Sequence, residues 1–163
     1  MIKRTNSPVL IFIFLLSIAA SSCNNDIIFT DTYEMPENTW RLTDIPVFRI
    51  PVSDTSASAD VSFSIRTGSD YPFRNIFLFV NIISPEGISI TDTLEYSLAD
   101  EKGYWLGKGV GDIHELVLPY KTNVFFPVKG PYQVKVYHGM RLGDLKGVYD
   151  LGIRVEKHHQ EKR

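Results

Sequence analysis

From Phe48 onward the chain is written largely in period two, the spacing of strands with one face on a core and the other in water. Phe48, Ile50 and Val52 alternate with their neighbours, and Val61, Phe63 and Ile65 alternate with Ser62 and Ser64. Tyr132, Val134 and Val136 repeat the pattern against Gln133 and Lys135, as do Tyr149, Leu151, Ile153 and Val155 against Asp150, Arg154 and Glu156. Ile76–Ile83 is apolar on both faces, which predicts a central strand covered on both sides; Ser84-Pro85-Glu86-Gly87 then supplies a turn. From Ile88 to Leu98 the even positions form an apolar face whose register turns Asp92 inward unless a bulge intervenes. No segment after Cys23 carries helical periodicity. Short strands separated by turn residues predict an all-β fold, an antiparallel β-sandwich of immunoglobulin-like or jelly-roll-like type, over residues 42–157. Asn24–Arg41 alternates little and reads as a tether, and the polar tail 158–163 as solvated and frayed.

The start of the chain obeys a different rule. Lys3 and Arg4 precede an apolar run of 12 residues, Val9–Ala20, interrupted only by Ser17. A bilayer-spanning helix needs about 20 apolar residues, so this run is too short to span. A basic start, a short apolar stretch and the small residues Ala19, Ala20, Ser21 and Ser22 form the layout of a secretory signal peptide over residues 1–22. Cys23 follows at once, and small residues directly before a cysteine resemble the lipobox of bacterial lipoproteins, where that cysteine is lipidated and becomes the first mature residue. An ordinary signal peptide would leave a free thiol in an exported protein, which lipidation explains better. Residues 23–41 then read as lipidated cysteine and tether.

Composition narrows the function classes. The 163 residues carry 17 basic and 19 acidic side chains, a formal charge of -2, which disfavours an electrostatic nucleic-acid binder. One cysteine excludes an internal disulfide framework and a cysteine-built zinc site. Without residues 1–22 the chain keeps 141 residues, with 15 basic against 19 acidic groups and a charge of −4. Such a surface does not seek anionic lipid, so acyl chains must do the anchoring.

Candidate chemistry is sparse. His158 and His159 are adjacent in the tail, where neighbouring residues do not present two nitrogens to one metal as an i, i+4 pair does. His114, beside Asp112 and Glu115, has no nucleophile assigned by sequence, and no Gly-x-Ser-x-Gly elbow occurs. The glycine-rich Gly103–Gly111 stretch has three residues, not four, before Gly107-Lys108, and Gly109 stands where a P-loop needs Ser or Thr. The chain is read as no enzyme, with no catalytic residues, cofactor, metal or small-molecule substrate expected. Asp100 and Asp112 lack a calcium-binding spacing. Tyr104 and Trp105, flanked by Lys102 and Lys108, form a candidate patch for a partner or ligand, with Tyr71 and Phe73 of Tyr71-Pro72-Phe73-Arg74 as a second. The competing reading has Trp105 plugging the sandwich edge. Asp92-Thr93-Leu94 also resembles a short O-glycosylation acceptor motif, which an inward Asp92 argues against.

Several segments together resemble the gliding-motility lipoprotein H family of Bacteroidetes. They are Asp44-Ile45-Pro46-Val47-Phe48, Asp70-Tyr71-Pro72-Phe73 with Asn75 and Leu78-Phe79-Val80, Asp92-Thr93-Leu94-Glu95, and Leu98-Ala99-Asp100 running into Trp105-Leu106-Gly107-Lys108-Gly109. Gly111-Asp112-Ile113, Gly139-Met140-Arg141, Gly147-Val148, Asp150 and Gly152-Ile153-Arg154 continue the resemblance, in order, from Trp40 to Glu156. The resemblance implies an outer-membrane-associated lipoprotein of the cell envelope, needed for gliding or for the allied type IX secretion apparatus, with other proteins of that machinery as partners. It brings no enzymatic residues; only Cys23 takes a defined chemical role from it. The alternative is an anchored sandwich that binds glycan through Tyr104 and Trp105.

Overall fold

The period-two segments pair into antiparallel sheets in the computed structural model, which describes residues 26–159. In chain order the strands are β1 (Ile27–Glu34), β2 (Thr39–Arg41), β3 (Val47–Val52), β4 (Ala59–Gly68), β5 (Asn75–Ile83), β6 (Ser89–Ser97), β7 (Lys108–Val110), β8 (Ile113–Val124), β9 (Gly130–His138), β10 (Asp144–Lys146) and β11 (Val148–Lys157). One sheet has the order β1-β11-β4-β8-β7 and the other β3-β9-β5-β6; β10 and β2 form a separate ribbon. The predicted β-sandwich is therefore present. Among the described residues no helix is long and apolar enough to cross a membrane. Cys23 and the signal-peptide segment lie outside the described residues.

The core is assembled from the inward half of each alternation. Phe48 and Ile50 of β3, Ile76, Leu78 and Val80 of β5, and Tyr132, Val134 and Val136 of β9 are buried. They share one cluster with Phe63 and Ile65 of β4, Leu118 of β8, and Leu151, Ile153 and Val155 of β11. At about 25 cal/mol per Å² of apolar surface removed from water, this continuous cluster is the main source of stability. Asp92 does turn inward, without a bulge, in an unbroken β5–β6 register. The fold meets the polar side chain with polar partners from the facing sheet: Tyr120 donates its hydroxyl to the Asp92 carboxylate at 2.6 Å, and Lys121 Nζ stands 2.7 Å away. Lys121 first, then Tyr120, hold the Asp92 carboxyl below its usual range. The Tyr96 hydroxyl donates to the Pro119 carbonyl at 2.7 Å, so β6 and β8 are stitched together where the two sheets would otherwise gape. Pro119 is tolerated because β8 is a sheet edge past Glu115, and a bulge opposite Val61 and Ser62 relaxes the pairing there.

Four expectations are corrected. Residues 27–41 are not a tether: β1 pairs with β11 from Ile27↔Glu156 to Glu34↔Asp150, and Trp40 of β2 is fully buried, its indole N–H donating to the Asp44 carbonyl at 2.8 Å. The alternation of β1 is hidden because polar Asp31 stands between its two core-packed residues, Phe29 and Tyr33. The described part of the tail is tied down as well. The His158 ring nitrogen lies 2.8 Å from Asp60, its backbone N–H donates to the Ser58 carbonyl, and His159 lies 3.1 Å from Asp26. Although β5 is central, only one of its faces is covered: Phe79 is exposed and Phe77 half-buried, since among the described residues no third layer lies outside this sheet. Asp150, expected on a wet face, is buried beneath the Arg66 guanidinium, whose Nε donates to it at 2.6 Å, and a register shift between Val148 and Asp150 leaves Tyr149 only half-buried.

Candidate functional site

Antiparallel pairing sorts the loops to two ends of the sandwich. The segments after β4, after β6 and after β9 meet at the end opposite the start of β1, because Gly68 pairs with Ile113, Asn75 with Ser97, and Glu34 with Asp150. All five candidate patch residues lie at this end, here termed distal. β4 spans ten residues, which at about 3.3 Å per residue separates the two ends by about 30 Å.

Asp100 organises the loop that carries Tyr104 and Trp105. Its Oδ1 accepts the backbone N–H groups of Lys102 and Tyr104 at 2.9 and 2.8 Å, its own N–H donates to the Tyr104 carbonyl at 2.9 Å, and Gly103 takes a φ of +86° to close the turn. That carboxylate is thereby committed to the loop. Trp105 bridges back to Ala99 as in a short strand, so residues on either side of it face outward. Tyr104 is 70% exposed. Trp105 instead turns in and stacks on the His114 ring, centroids 5.5 Å apart and planes 20° from parallel. The two aromatics therefore do not form one surface. Half-buried Trp105 packs against the core, as an edge plug would, and of the two rings Tyr104 is the more exposed.

The second candidate pair divides in the same way. Tyr71 is buried, with its hydroxyl donating to the Asn75 carbonyl at 2.8 Å, and burial raises that hydroxyl's pKa. Its ring touches Phe73 edge-on at 6.0 Å and Trp105 at 6.3 Å. Tyr71 thus supports the site from beneath and cannot itself meet a ligand. Phe73, half-buried, does reach the surface: with Pro72, Arg74, Asn75, Glu95 and Leu106 it lines an open groove of about 720 Å³. Asn75 donates to Glu95 at 2.7 Å across the groove floor, while Arg74 and Glu101 are exposed on its rim. Lys108 is exposed on β7, opposite Glu115 in register.

The groove mixes an apolar wall with a charged rim. His114 is stacked against Trp105, and its buried Nδ1 has no hydrogen-bond partner among the described residues. Among the described residues no three His, Asp or Glu side chains are grouped to hold a metal ion. Sequence reasoning missed Leu106 and Asn75 as lining residues. The signal lay in the alternation outward of Tyr104 and Leu106 about inward Trp105.

The chain matches the family model described as GldH lipoprotein over residues 27–155. It is 37% identical to the gliding motility lipoprotein GldH homolog of Christiangramia forsetii, over 94% of this chain and 98% of the relative. It is 34% identical to the gliding motility lipoprotein GldH of Flavobacterium johnsoniae, over 93% of this chain and 96% of the relative. No solved structure matches it.

Proposed function

The chain belongs to the GldH lipoprotein family, and from that premise we propose that it is a non-catalytic envelope component held by acyl chains on Cys23 at the outer membrane. There it serves gliding motility or the allied type IX secretion machinery by docking a protein of that machinery on its distal end. One observation carries this reading: the candidate docking residues Tyr104, Leu106 and Lys108 stand at the opposite end of the sandwich from Ile27, the first strand residue after the anchor. A domain held at one end presents the other to its neighbours at raised effective concentration. Two or more acyl chains give stable attachment, which a domain of formal charge −4 would not gain from anionic lipid. Glycan binding is less well supported, because a sugar platform would rest on Tyr104 alone once Trp105 is stacked on His114.

The reading is tested by two variants in the native bacterium. Cys23→Ala is expected to move the protein from the membrane to the soluble fraction and abolish gliding, or type IX secretion in a non-gliding strain. Tyr104→Ala with Lys108→Glu is expected to leave the protein in the membrane fraction and folded, yet reduce motility or secretion about tenfold, as loss of an interface hot spot does. Full function of the soluble form would overturn the anchor, and full function of the distal variant would overturn the docking face.

A further inference from the structure

The end of the sandwich where β1 begins carries an apolar rim. Register brings together the start of β1, the ends of β3, β8 and β11, and the starts of β4 and β9: Ile27 pairs with Glu156, Ala59 with both Lys157 and Val124, and Val52 with Gly130. Here Ile27 and Ile28, each more than a third exposed, join Val52, Ala59 and Phe126 around a cavity of about 250 Å³. In the loop after β8, Phe126 packs edge-on against core Tyr132 at 5.0 Å, while Phe125 is 60% exposed beside it. Phe125, Ile27 and Ile28 are thus exposed apolar side chains at one end of the sandwich.

The length of chain ahead of the rim says what covers it. Cys23 precedes Asp26 by three residues, a link of about 10 Å when fully extended. A headgroup layer is about 5–8 Å thick, from the difference between the hydrocarbon and total bilayer thickness. A lipid on Cys23 would therefore hold this end at the bilayer surface. The charges around the rim are few and of both signs: Asp26, Asp54 and Asp60 stand among Lys129 and Lys157, with the His158 and His159 rings against Asp60 and Asp26. An approach to lipid is thus neither repelled nor driven electrostatically.

We propose that this rim seats in the headgroup–acyl boundary of the membrane that holds the Cys23 lipid, with Phe125, Ile27 and Ile28 as the inserted side chains. The proposal rests on the anchor reading and deepens it: the domain stands on the bilayer in one orientation, strands rising from the surface and distal groove outermost. Three apolar side chains would not hold a protein at a membrane by themselves, but the covalent anchor confines them beside it, so a weak insertion suffices.

The test uses the full, lipidated chain in phosphatidylcholine vesicles. With the Cys23 sulfur acylated, a thiol placed by Phe125→Cys is the free one and takes an environment-sensitive fluorophore; Tyr104→Cys serves as the distal comparison, and Ile28→Cys repeats the rim measurement independently. The expected result is a blue-shifted probe at 125 and at 28, quenched several-fold more strongly than at 104 by lipids spin-labelled near the headgroup, and insensitive to added salt. Equal quenching at all three positions, with the protein still on the vesicles, overturns the seating and leaves the anchor standing. Recovery of the protein off the vesicles overturns the anchor and the seating with it.

Discussion

A histidine sealed into an apolar core is a liability below neutral pH, and His138 at the end of β9 is one. It is 3% exposed, packs edge-on against Trp40 with centroids 5.5 Å apart, and neither ring nitrogen has a well-formed hydrogen bond among the described residues, only looser approaches to the backbone. Burial lowers its pKa below the usual 6.5, against weaker opposing contributions from the backbone at Gly143 and Trp40. The folded protein therefore binds this proton less readily than the unfolded chain. Stability is complete above the unfolded value of about 6.5 and is lost as pH falls below it toward the lower folded value. The melting temperature is expected to be level from about pH 8 to pH 7 and to fall by about 4 °C for each 1 kcal/mol lost at lower pH. His138→Leu, which keeps the volume and removes the titration, should flatten that fall between pH 6.5 and 5. A wild-type slope surviving in His138→Leu, measured by calorimetry, would mean that another group carries the dependence. Asp92 answers the same problem differently: an inward carboxylate is kept charged because Lys121 and Tyr120 reach it from the facing sheet.

At the scale of elements, sequence and structure agree where one side chain in two is unambiguous. β3, β4 and β9 were legible because Phe48, Ile50 and Val52, then Val61, Phe63 and Ile65, then Tyr132, Val134 and Val136 repeat without interruption. β1 was illegible because it is an edge strand held by backbone pairing, with only Phe29 and Tyr33 packed on the core. Three-residue β2 offers no period at all, yet its Trp40 closes the distal end of the core. The candidate site was half legible. The loop containing Tyr104 and Trp105 could be located by its composition, but which ring faces out depends on the Ala99↔Trp105 bridge and on Asp100 closing the turn, neither of which leaves a periodic trace. The turn from β10 into β11 exposes another such constraint. Gly147 has a φ of +75°, its N–H donates to the Asn38 carbonyl at 2.9 Å and its carbonyl accepts from Gly68 at 2.8 Å. A Cβ there would run into the Tyr71 backbone nitrogen. Gly147→Ala is expected to cost about 3 kcal/mol through strain and displacement of the Tyr71 support. A urea titration showing a loss under about 1 kcal/mol would indicate that the turn relaxes around the new methyl group.

For the whole molecule, the decisive length is the short span between Cys23 and the first strand. With β1 inside the sheet, the reach from a lipid on Cys23 to the folded domain shrinks from the 18 residues of the expected tether to the three that lead to Asp26. A long tether would let the domain tumble and would leave the height of its distal groove undefined. A short one fixes that groove about 30 Å above the bilayer surface when the apolar rim is seated. If docking depends on that height and orientation, lengthening the link should impair function without releasing the protein. Inserting about 15 Gly and Ser residues between Asn25 and Asp26 adds a flexible coil with a typical span of about 22 Å, comparable to the domain itself. The expected outcome is unchanged membrane retention and folding with reduced gliding or secretion, because the distal residues Tyr104, Leu106 and Lys108 lose their common orientation. Restoring function by shortening the insert stepwise would identify geometry as the cause, since charge and the proposed anchor on Cys23 are the same throughout the series. Undiminished gliding with the longest insert would show instead that the lipid serves only to keep the domain near the membrane.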